Sequence, residues 1–530
     1  MRTRIPRLLR ATLPLALCCT LSGVGKAATD PSSEESSALW LGLEAERLTE
    51  EERSLLRRPD EKRPEDQLTL MVWDRPMVLG WSPELRTKMF DDVAFKDARV
   101  DDTTRLAQNL TLDLFYRLNE NVSVFLKGAA FYRGTRKEFR GHPLGVRDRR
   151  DRERGIARRE MWLYLRELAG TPLSFQVGRQ RFSEDREWWW DDDLDALRLH
   201  FDLSRLHLEL GLAELLARVS SSESHIDPED EKLRRLLARA TWEWRRRNRL
   251  ELFAVRQMDR SDTELVDMEI LSEREDESDA TLWWTGVSAR GTLSIRSAGK
   301  LDYWVDSAFV SGHETFLDYT GTLDNRRVRS RTRHGVHGWG VDAGLTWMLP
   351  LPLQPALTIG YAIGSGDREG KDLPDKDSQK STDRSFRQTG LQDNNGRFRG
   401  VDRFKYYGEL LDPELSNLRI GTLGLGFRLL EQTSLQLLYH VYRQDEPAKF
   451  LRDATVRRQP AGRKHRIGQE FDVVLGIEEW DHIEIELIAA AFRAGAAFGE
   501  HLDGLNPEDL VPATAGDWSY LGLVKFKLNF

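Results

Sequence analysis

The stretch Asn109-Leu110-Thr111-Leu112-Asp113-Leu114-Phe115-Tyr116-Arg117-Leu118 places Leu110, Leu112, Leu114, Tyr116 and Leu118 in strict alternation with Asn109, Thr111, Asp113, Phe115 and Arg117. A short turn, Asn119-Glu120-Asn121, follows. The pattern then resumes with Val122, Val124, Leu126, Gly128 and Ala130 on one face and Ser123, Lys127 and Arg133 on the other. A period of two over about ten residues, with polar side chains on the second face, is that of a tilted membrane strand. The pattern recurs down the chain. Leu206, Leu208, Leu210 and Leu212 alternate with His207, Glu209, Gly211 and Ala213, and Leu301, Tyr303, Val305, Ser307 and Phe309 with Asp302, Trp304 and Asp306. The last segment sets Tyr520, Gly522, Val524, Phe526, Leu528 and Phe530 against Leu521, Leu523, Lys525, Lys527 and Asn529, and so ends the chain on an aromatic.

Read this way, strands begin within 68–89 and continue near 105–118, 122–133, 157–168, 173–182, 195–202, 205–216, 234–244, 249–258, 281–290, 300–311, 335–347, 356–364, 418–430, 434–443, 467–477, 482–492 and 518–530. That makes eighteen, an even number, as a single-chain outer-membrane barrel requires. Eight connections read as tight turns, such as Ala169–Pro172, Arg245–Asn248 and Glu431–Thr433, and nine as long polar stretches, such as 134–157, 259–280, 365–417 and 493–517. Short periplasmic turns alternating with long outer loops fit a barrel and not a soluble sandwich. Trp162, Trp242, Trp244, Trp283, Trp284, Trp339 and Trp347, near strand ends, are expected to form interfacial girdles. The fold class is therefore all-β, a transmembrane antiparallel barrel of about eighteen strands over residues 67–530.

Composition agrees with an exported protein. The 530 residues carry 79 Lys+Arg against 87 Asp+Glu, a net charge of −8, so the balance does not nominate a nucleic-acid partner. Arg2, Arg4, Arg7 and Arg10 precede the apolar run 13–19, and Gly25-Lys26-Ala27 has small residues at −3 and −1, as a signal peptide cut after Ala27 would have. A lipid anchor at Cys18 is the rival, with Leu17 large for the residue before it. Cleavage after Ala27 would remove Cys18 and Cys19, the only cysteines, and with them any disulfide, thiolate metal site or cysteine nucleophile. Nowhere after Ala27 do eighteen apolar residues run together. Residues 28–66, acidic and helix-like from Ser37 to Arg57, read as a periplasmic extension.

The candidate substrate path lies around one hairpin. Arg158-Arg159-Glu160-Met161-Trp162 faces Gly178-Arg179-Gln180-Arg181-Phe182 across the turn at Ala169–Pro172, with numbers summing to about 341, which sets Glu160 opposite Arg181 and Arg159 opposite Phe182. Glu184-Asp185-Arg186-Glu187-Trp188-Trp189-Trp190-Asp191-Asp192-Asp193 follows. Guanidinium forks bind carboxylates bidentately, and indole faces stack on sugar rings, so this lining suits an acidic carbohydrate. General porins also line their constrictions with facing arginines and acids, which keeps a small-solute pore as the alternative. Parity puts Arg159 and Arg181 with Met161, Leu163, Phe175 and Val177 on the nominal lipid face. Either a bulge turns them inward or they snorkel at the interface.

These motifs, with Trp188–Leu197, Gln388-Thr389-Gly390-Leu391, Tyr407-Gly408-Glu409-Leu410, Pro413–Leu418 and Ile467-Gly468-Gln469-Glu470-Phe471-Asp472, resemble the alginate export family from about residue 105 to Phe530. The C-terminal aromatic resembles the recognition signal of bacterial outer-membrane barrels. The resemblance implies an outer-membrane channel for an anionic exopolysaccharide, with the lipid bilayer, an acidic polysaccharide and periplasmic export proteins as partners. By position Arg159, Arg181 and Asp191 match charged constriction residues of the family's alginate exporter, and Arg403 or Lys405 its later basic loop residues. Arg179 joins them as a candidate on the same hairpin. Two departures bear on the substrate. The exporter's long pore-plugging turn is here only Glu478-Glu479-Trp480-Asp481, and Glu484 and Glu486 stand where it carries a basic residue, an exchange expected to repel a polyuronate.

Catalysis finds little support in the sequence. There is no HExxH or GxSxG, and Gly364-Ser365-Gly366 lacks the rest of a phosphate-cradling loop. Asp191, Asp192 and Asp193 read as solvated acids rather than a glycosidase pair or a Ca²⁺ site, as does the stretch from Glu500 to Asp509 on an outer loop. No catalytic residue, cofactor or metal is therefore expected. The Arg- and Asp-rich stretch 134–157 is the expected lid.

Overall fold

Each alternating segment hydrogen-bonds to the next along both edges, and the last pairs with the first. The computed structural model describes residues 67–91, 101–139, 147–261, 265–276, 278–321, 325–367, 382–499 and 518–530. The strands are β1 Arg75–Asp91, β2 Asp101–Asn119, β3 Val122–Phe139, β4 Arg147–Leu165, β5 Leu173–Ser183, β6 Asp191–Asp202, β7 Leu206–Glu214, β8 Arg234–Arg245 and β9 Asn248–Met258. They continue as β10 Ser278–Ile295, β11 Gly299–Gly321, β12 Asn325–Met348, β13 Ala356–Gly364, β14 Leu418–Leu430, β15 Thr433–Gln444, β16 Arg466–Trp480, β17 Ile483–Ala494 and β18 Trp518–Leu528. The barrel is antiparallel and has eighteen strands. It closes where β18 pairs with β1, from Glu84 opposite Lys527 to Asp91 opposite Tyr520. Beyond that pairing Trp81 and Phe530 exchange two backbone hydrogen bonds of 3.0 Å and stack at 4.1 Å, so the C-terminal aromatic completes the seam.

Alternation sorts side chains inside-out relative to a soluble protein. Leu112, Leu199, Leu210, Leu252, Val305, Leu423 and Val524 face outward and are exposed, whereas Asp306, Asp342, Gln436, His440, Glu470 and Asp472 face the lumen and are buried. An apolar band outside and a polar interior are what a bilayer demands of a spanning barrel. Trp242, Trp244 and Trp347 are exposed near one rim and Trp283 and Trp339 near the other, as expected for girdles. Trp162 and Trp284 correct that expectation. They point inward and are nearly fully buried, because each falls on the polar-face parity of its strand.

The eight connections at the end bearing Arg75 and Phe530 run from two residues, as at Glu120-Asn121, to seven, as at 166–172. Short turns there assign that end to the periplasm. The nine at the opposite end are not uniformly long. β3 with β4 and β11 with β12 continue upward as tall hairpins, Phe139 still pairing with Arg147 and Gly321 with Arg326. Residues 134–139 and 147–157, expected within a lid, are therefore strand. Strand Leu68–Val72 folds back on Arg75–Leu79 at the periplasmic rim. The expected signal peptide, the 28–66 extension and the stretch Glu500 to Asp509 lie outside the described residues.

Candidate functional site

Two outer connections turn inward. Residues 184–190, between β5 and β6, and 382–417, on the way from β13 to β14, meet inside the barrel. The second was read as a polar outer stretch, yet Phe386, Phe398, Phe404, Tyr406, Tyr407, Leu410, Leu411 and Leu415 are almost completely buried and give it an apolar core of its own. The backbone amides of Asp393 and Asn394 both donate to the Glu187 carbonyl at 3.0 Å, and the Gln388 side-chain amide donates to the Trp188 carbonyl. Trp188 Nε1 donates to the Tyr407 hydroxyl at 2.8 Å.

Lumenal carboxylates of the wall hold both segments. Asp342 receives Arg186 at 2.6 Å, the Tyr407 hydroxyl at 2.9 Å and Trp304 Nε1 at 2.8 Å, while Arg290 joins Glu184 to Asp306. Glu470 accepts from the amides of Leu410 (2.7 Å) and Leu411 (3.0 Å), and the Tyr442 hydroxyl donates to the Tyr407 carbonyl at 2.8 Å. This close approach depends on Gly408, whose φ is 103° and where a Cβ would lie 2.2 Å from the Tyr442 hydroxyl. Charged hydrogen bonds of this kind, away from water, are the stronger class. Lumenal parity made Asp306 legible as an inward polar residue. Its distant partner Arg186, from the inward segment 184–190, left no local trace.

Four of the six expected path residues converge here. Arg181 pairs with Asp191 and lies 3.4 Å from Glu187, and Arg403 reaches the same Glu187 at 2.9 Å. Lys405 pairs with Asp393 at 2.5 Å and lies 3.6 Å from Asp412. Carboxylate oxygens of Glu187, Asp191 and Asp393 all fall within 4.8 Å of one another, so three acids and three bases form one node. Burial by itself would lower the Lys405 ammonium, but Asp412 and Asp393 outweigh it and hold it above the ordinary lysine value. Burial pushes the Glu409 carboxyl up to about 8 and that of Glu414 up to about 7.

Arg159 and Arg179 differ. The β3–β4 register shifts between Leu126 and Gly128, so one residue, Lys127, faces both Arg159 and Glu160. A bulge of this kind keeps its two residues on one side, which puts Arg159 with the inward Glu160 and Trp162. Arg179 turns away from the node. It lies 3.7 Å from Asp195, which Arg158 clasps at 2.6 Å beneath the chain at 216–221. The expected facing pairs are also corrected: the β4–β5 register ends at Met161 opposite Arg179, so Glu160 and Arg181 are not partners. Gly178 ends it, with φ of 120° and no room for a Cβ beside the Met161 carbonyl.

The three tryptophans are corrected too. Trp188, Trp189 and Trp190 are at most 2% exposed. Trp189 stacks on Phe253 at 3.6 Å and on Trp190 at 3.9 Å, and Trp188 stacks on Phe386, so no free indole face is left for a sugar. Glu484 and Glu486 point inward, but Lys527 lies 3.8 Å from the first and Lys525 2.9 Å from the second, so their charge is answered one strand away.

Beneath the inward segments, toward the periplasm, lies a cavity of about 770 Å³. Seven arginines line it, among them Arg205, Arg247, Arg249, Arg290, Arg397 and Arg403, against three carboxylates, Asp185, Glu243 and Asp302. Arg205, Arg247 and Arg397 are exposed. Only Arg403 among them was an expected path residue, with Arg186 standing in the stretch 184–193; Arg205 and Arg247 lie in turns, which carry no periodicity to aim them.

Comparison with known proteins gives a family and a set of relatives. The family model described as alginate export matches residues 75–507. The alginate production protein AlgE of Pseudomonas aeruginosa is 30% identical over 325 residues, 60% of this chain and 63% of the relative. Those of Pseudomonas syringae pv. tomato and Azotobacter vinelandii are 25% and 24% identical over 57% and 56% of this chain, covering 58% and 61% of the relatives. In each case the chain spans less than two thirds of the relative's length. Among solved structures, Pseudomonas aeruginosa OccK7 (OpdD) aligns with a TM-score of 0.48 at 12% identity, over 87% of this chain and 99% of that one. OprD of the same organism gives 0.43 at 10% identity, over 89% and 95%.

Proposed function

The chain belongs to the alginate export family, and from that premise we propose that it is an outer-membrane channel through which an anionic, alginate-type exopolysaccharide leaves the periplasm. The observation that carries this reading is the cavity at the periplasmic mouth, with seven arginines to three carboxylates. A polyuronate offers one carboxylate per sugar, and guanidinium forks match that group in shape and charge. Arg205, Arg247 and Arg397 would meet the polymer first. Arg159, Arg181, Arg403 and Lys405 would act further in, where each exchange of a protein carboxylate for a polymer carboxylate is nearly balanced. Near balance suits conduction, which needs binding strong enough to enter and weak enough to leave. Arg179, held against Asp195, has no part in the path. Asp191 would serve as a counter-charge that keeps Arg181 from trapping the polymer.

The lysines opposite Glu484 and Glu486 remove the objection those acids raised to a uronic polymer. The reading is of transport and not catalysis. Periplasmic proteins that deliver the polymer are its expected partners.

Planar-bilayer recording tests the proposal. The channel should prefer anions, and oligouronate added on the periplasmic side should block it. The triple change Arg205→Gln, Arg247→Gln and Arg397→Gln should weaken block about tenfold, near the loss of one strong charged contact. Equal passage of neutral sugars with no oligouronate block would instead identify a small-solute porin.

A further inference from the structure

On either side of the turn 203–205 the sequence reads His200-Phe201-Asp202 and Leu206-His207-Leu208-Glu209. Neither half has the spacing of a metal motif, since each strand offers one histidine and one acid. The β6–β7 register changes that. His200 stands directly opposite Glu209 and Asp202 opposite His207, so a period of two puts all four on the lumenal face of one hairpin. The turn lies at the periplasmic end, and His207 lines the arginine-rich cavity, which gives an ion a way in.

The groups are arranged as ligands are. One ring nitrogen of His200, one of His207 and one oxygen of Glu209 all fall within 4.8 Å of one another. His207 Nε2 is 3.7 Å from Glu209 Oε2, close to the separation of about 3.4 Å that two donors have around a tetrahedral ion at zinc bond lengths. The other nitrogen of that ring, Nδ1, is bound to the Asp202 carboxylate. A carboxylate behind a histidine fixes its tautomer and leaves the Nε2 lone pair free, the pattern found behind metal-bound histidines. His200 is 6% exposed, its ring lies edge-on to Tyr164 at 6.2 Å, and its Nε2 is buried with no hydrogen-bond partner. A buried nitrogen left unsatisfied calls for a partner. Arg198 and Arg239 oppose the site, each reaching an oxygen of Glu209 at 2.6 Å. A carboxylate oxygen has a second lone pair, so Glu209 can serve an ion and both arginines, with weaker binding than a site without them.

We propose that the lumenal face of the β6–β7 hairpin binds a divalent first-row transition ion, Zn²⁺ being the type, through His200, His207 and Glu209, with Asp202 as the positioning residue behind His207. Two imidazoles and a carboxylate are a donor set that such ions prefer, whereas Mg²⁺ and Ca²⁺ take oxygen.

The test uses the tag-free barrel in detergent, stripped with chelator and titrated by calorimetry with Zn²⁺ alone, and with Co²⁺ for its visible ligand-field bands. One ion should bind per chain, and a large excess of Mg²⁺ should not compete. His200→Gln and His207→Gln should each lower Zn²⁺ affinity about tenfold or more, and Asp202→Asn about tenfold with the Co²⁺ bands kept, as loss of a group behind a ligand does. His337, exposed on β12, supplies the control. His337→Gln should leave binding unchanged, with heat-modifiable gel migration confirming that every variant folds. Absence of saturable binding at submillimolar Zn²⁺ overturns the proposal, as does displacement by Mg²⁺, which would make the acids alone the site. An equal loss in His337→Gln overturns it too, because histidines would then be binding without a built site.

Discussion

Glu187 shows what one buried charge demands. It is 1% exposed and is held between Arg403 at 2.9 Å and Arg181 at 3.4 Å. Removing one partner of a buried pair leaves a charge without compensation, at a cost of about 3–5 kcal/mol. Arg403→Ala should therefore lower the thermal midpoint of the lumenal segments, while the double change with Glu187→Gln recovers part of the loss, as differential scanning calorimetry in detergent would read. Position 408 is equally exacting for a steric reason. Gly408→Val should unseat the 405–411 stretch and raise channel conductance, because neither the positive φ nor the Tyr442 hydroxyl leaves room for a side chain. At the barrel seam, Lys525→Gln with Lys527→Gln would strip Glu484 and Glu486 of their partners. The expected outcome is a drop in anion-over-cation permeability measured by reversal potential.

Among the elements, the decisive one is the inward segment 382–417. Its carboxyls Glu409 and Glu414 sit above the ordinary carboxylate range through burial, at about 8 and about 7. The seated segment thus holds protons that a freed one would release. Seating is favoured at low pH and loses stability as pH rises from the ordinary carboxylate range toward about 8. Single-channel openings should become more frequent between pH 6 and pH 9, and Glu409→Gln should flatten that dependence. A pH-independent open probability in the native chain would refute the link between seating and gating. The tall hairpins behave differently. β3 stays in register with β4 up to Phe139 opposite Arg147 and with β2 up to Phe139 opposite Asp101, so shortening the hairpin should leave conductance unaltered.

For the whole molecule, the two aromatic rows fix the height of the bilayer. Trp339 and Trp347 lie eight residues apart on β12, about 26 Å of strand, which suits an apolar band crossed at a tilt. Brominated acyl chains should quench Trp242 and Trp339 and spare Trp188, Trp189 and Trp190. Replacing the first pair with phenylalanine should therefore shrink the quenchable fluorescence, and replacing Trp189 should not. Sequence alone determined the eighteen strands, the even count, the turns at one end and the polar-face parity of Asp306, because a barrel strand writes its two faces into every second residue. It could not decide where 382–417 goes, that Trp188–Trp190 are stacked shut, or that Arg179 turns to Asp195 while Arg181, Arg403 and Lys405 gather on three acids. Those outcomes rest on contacts between residues up to some two hundred positions apart, made by loops free of any period. In such segments the partner, not the neighbour in sequence, decides the conformation.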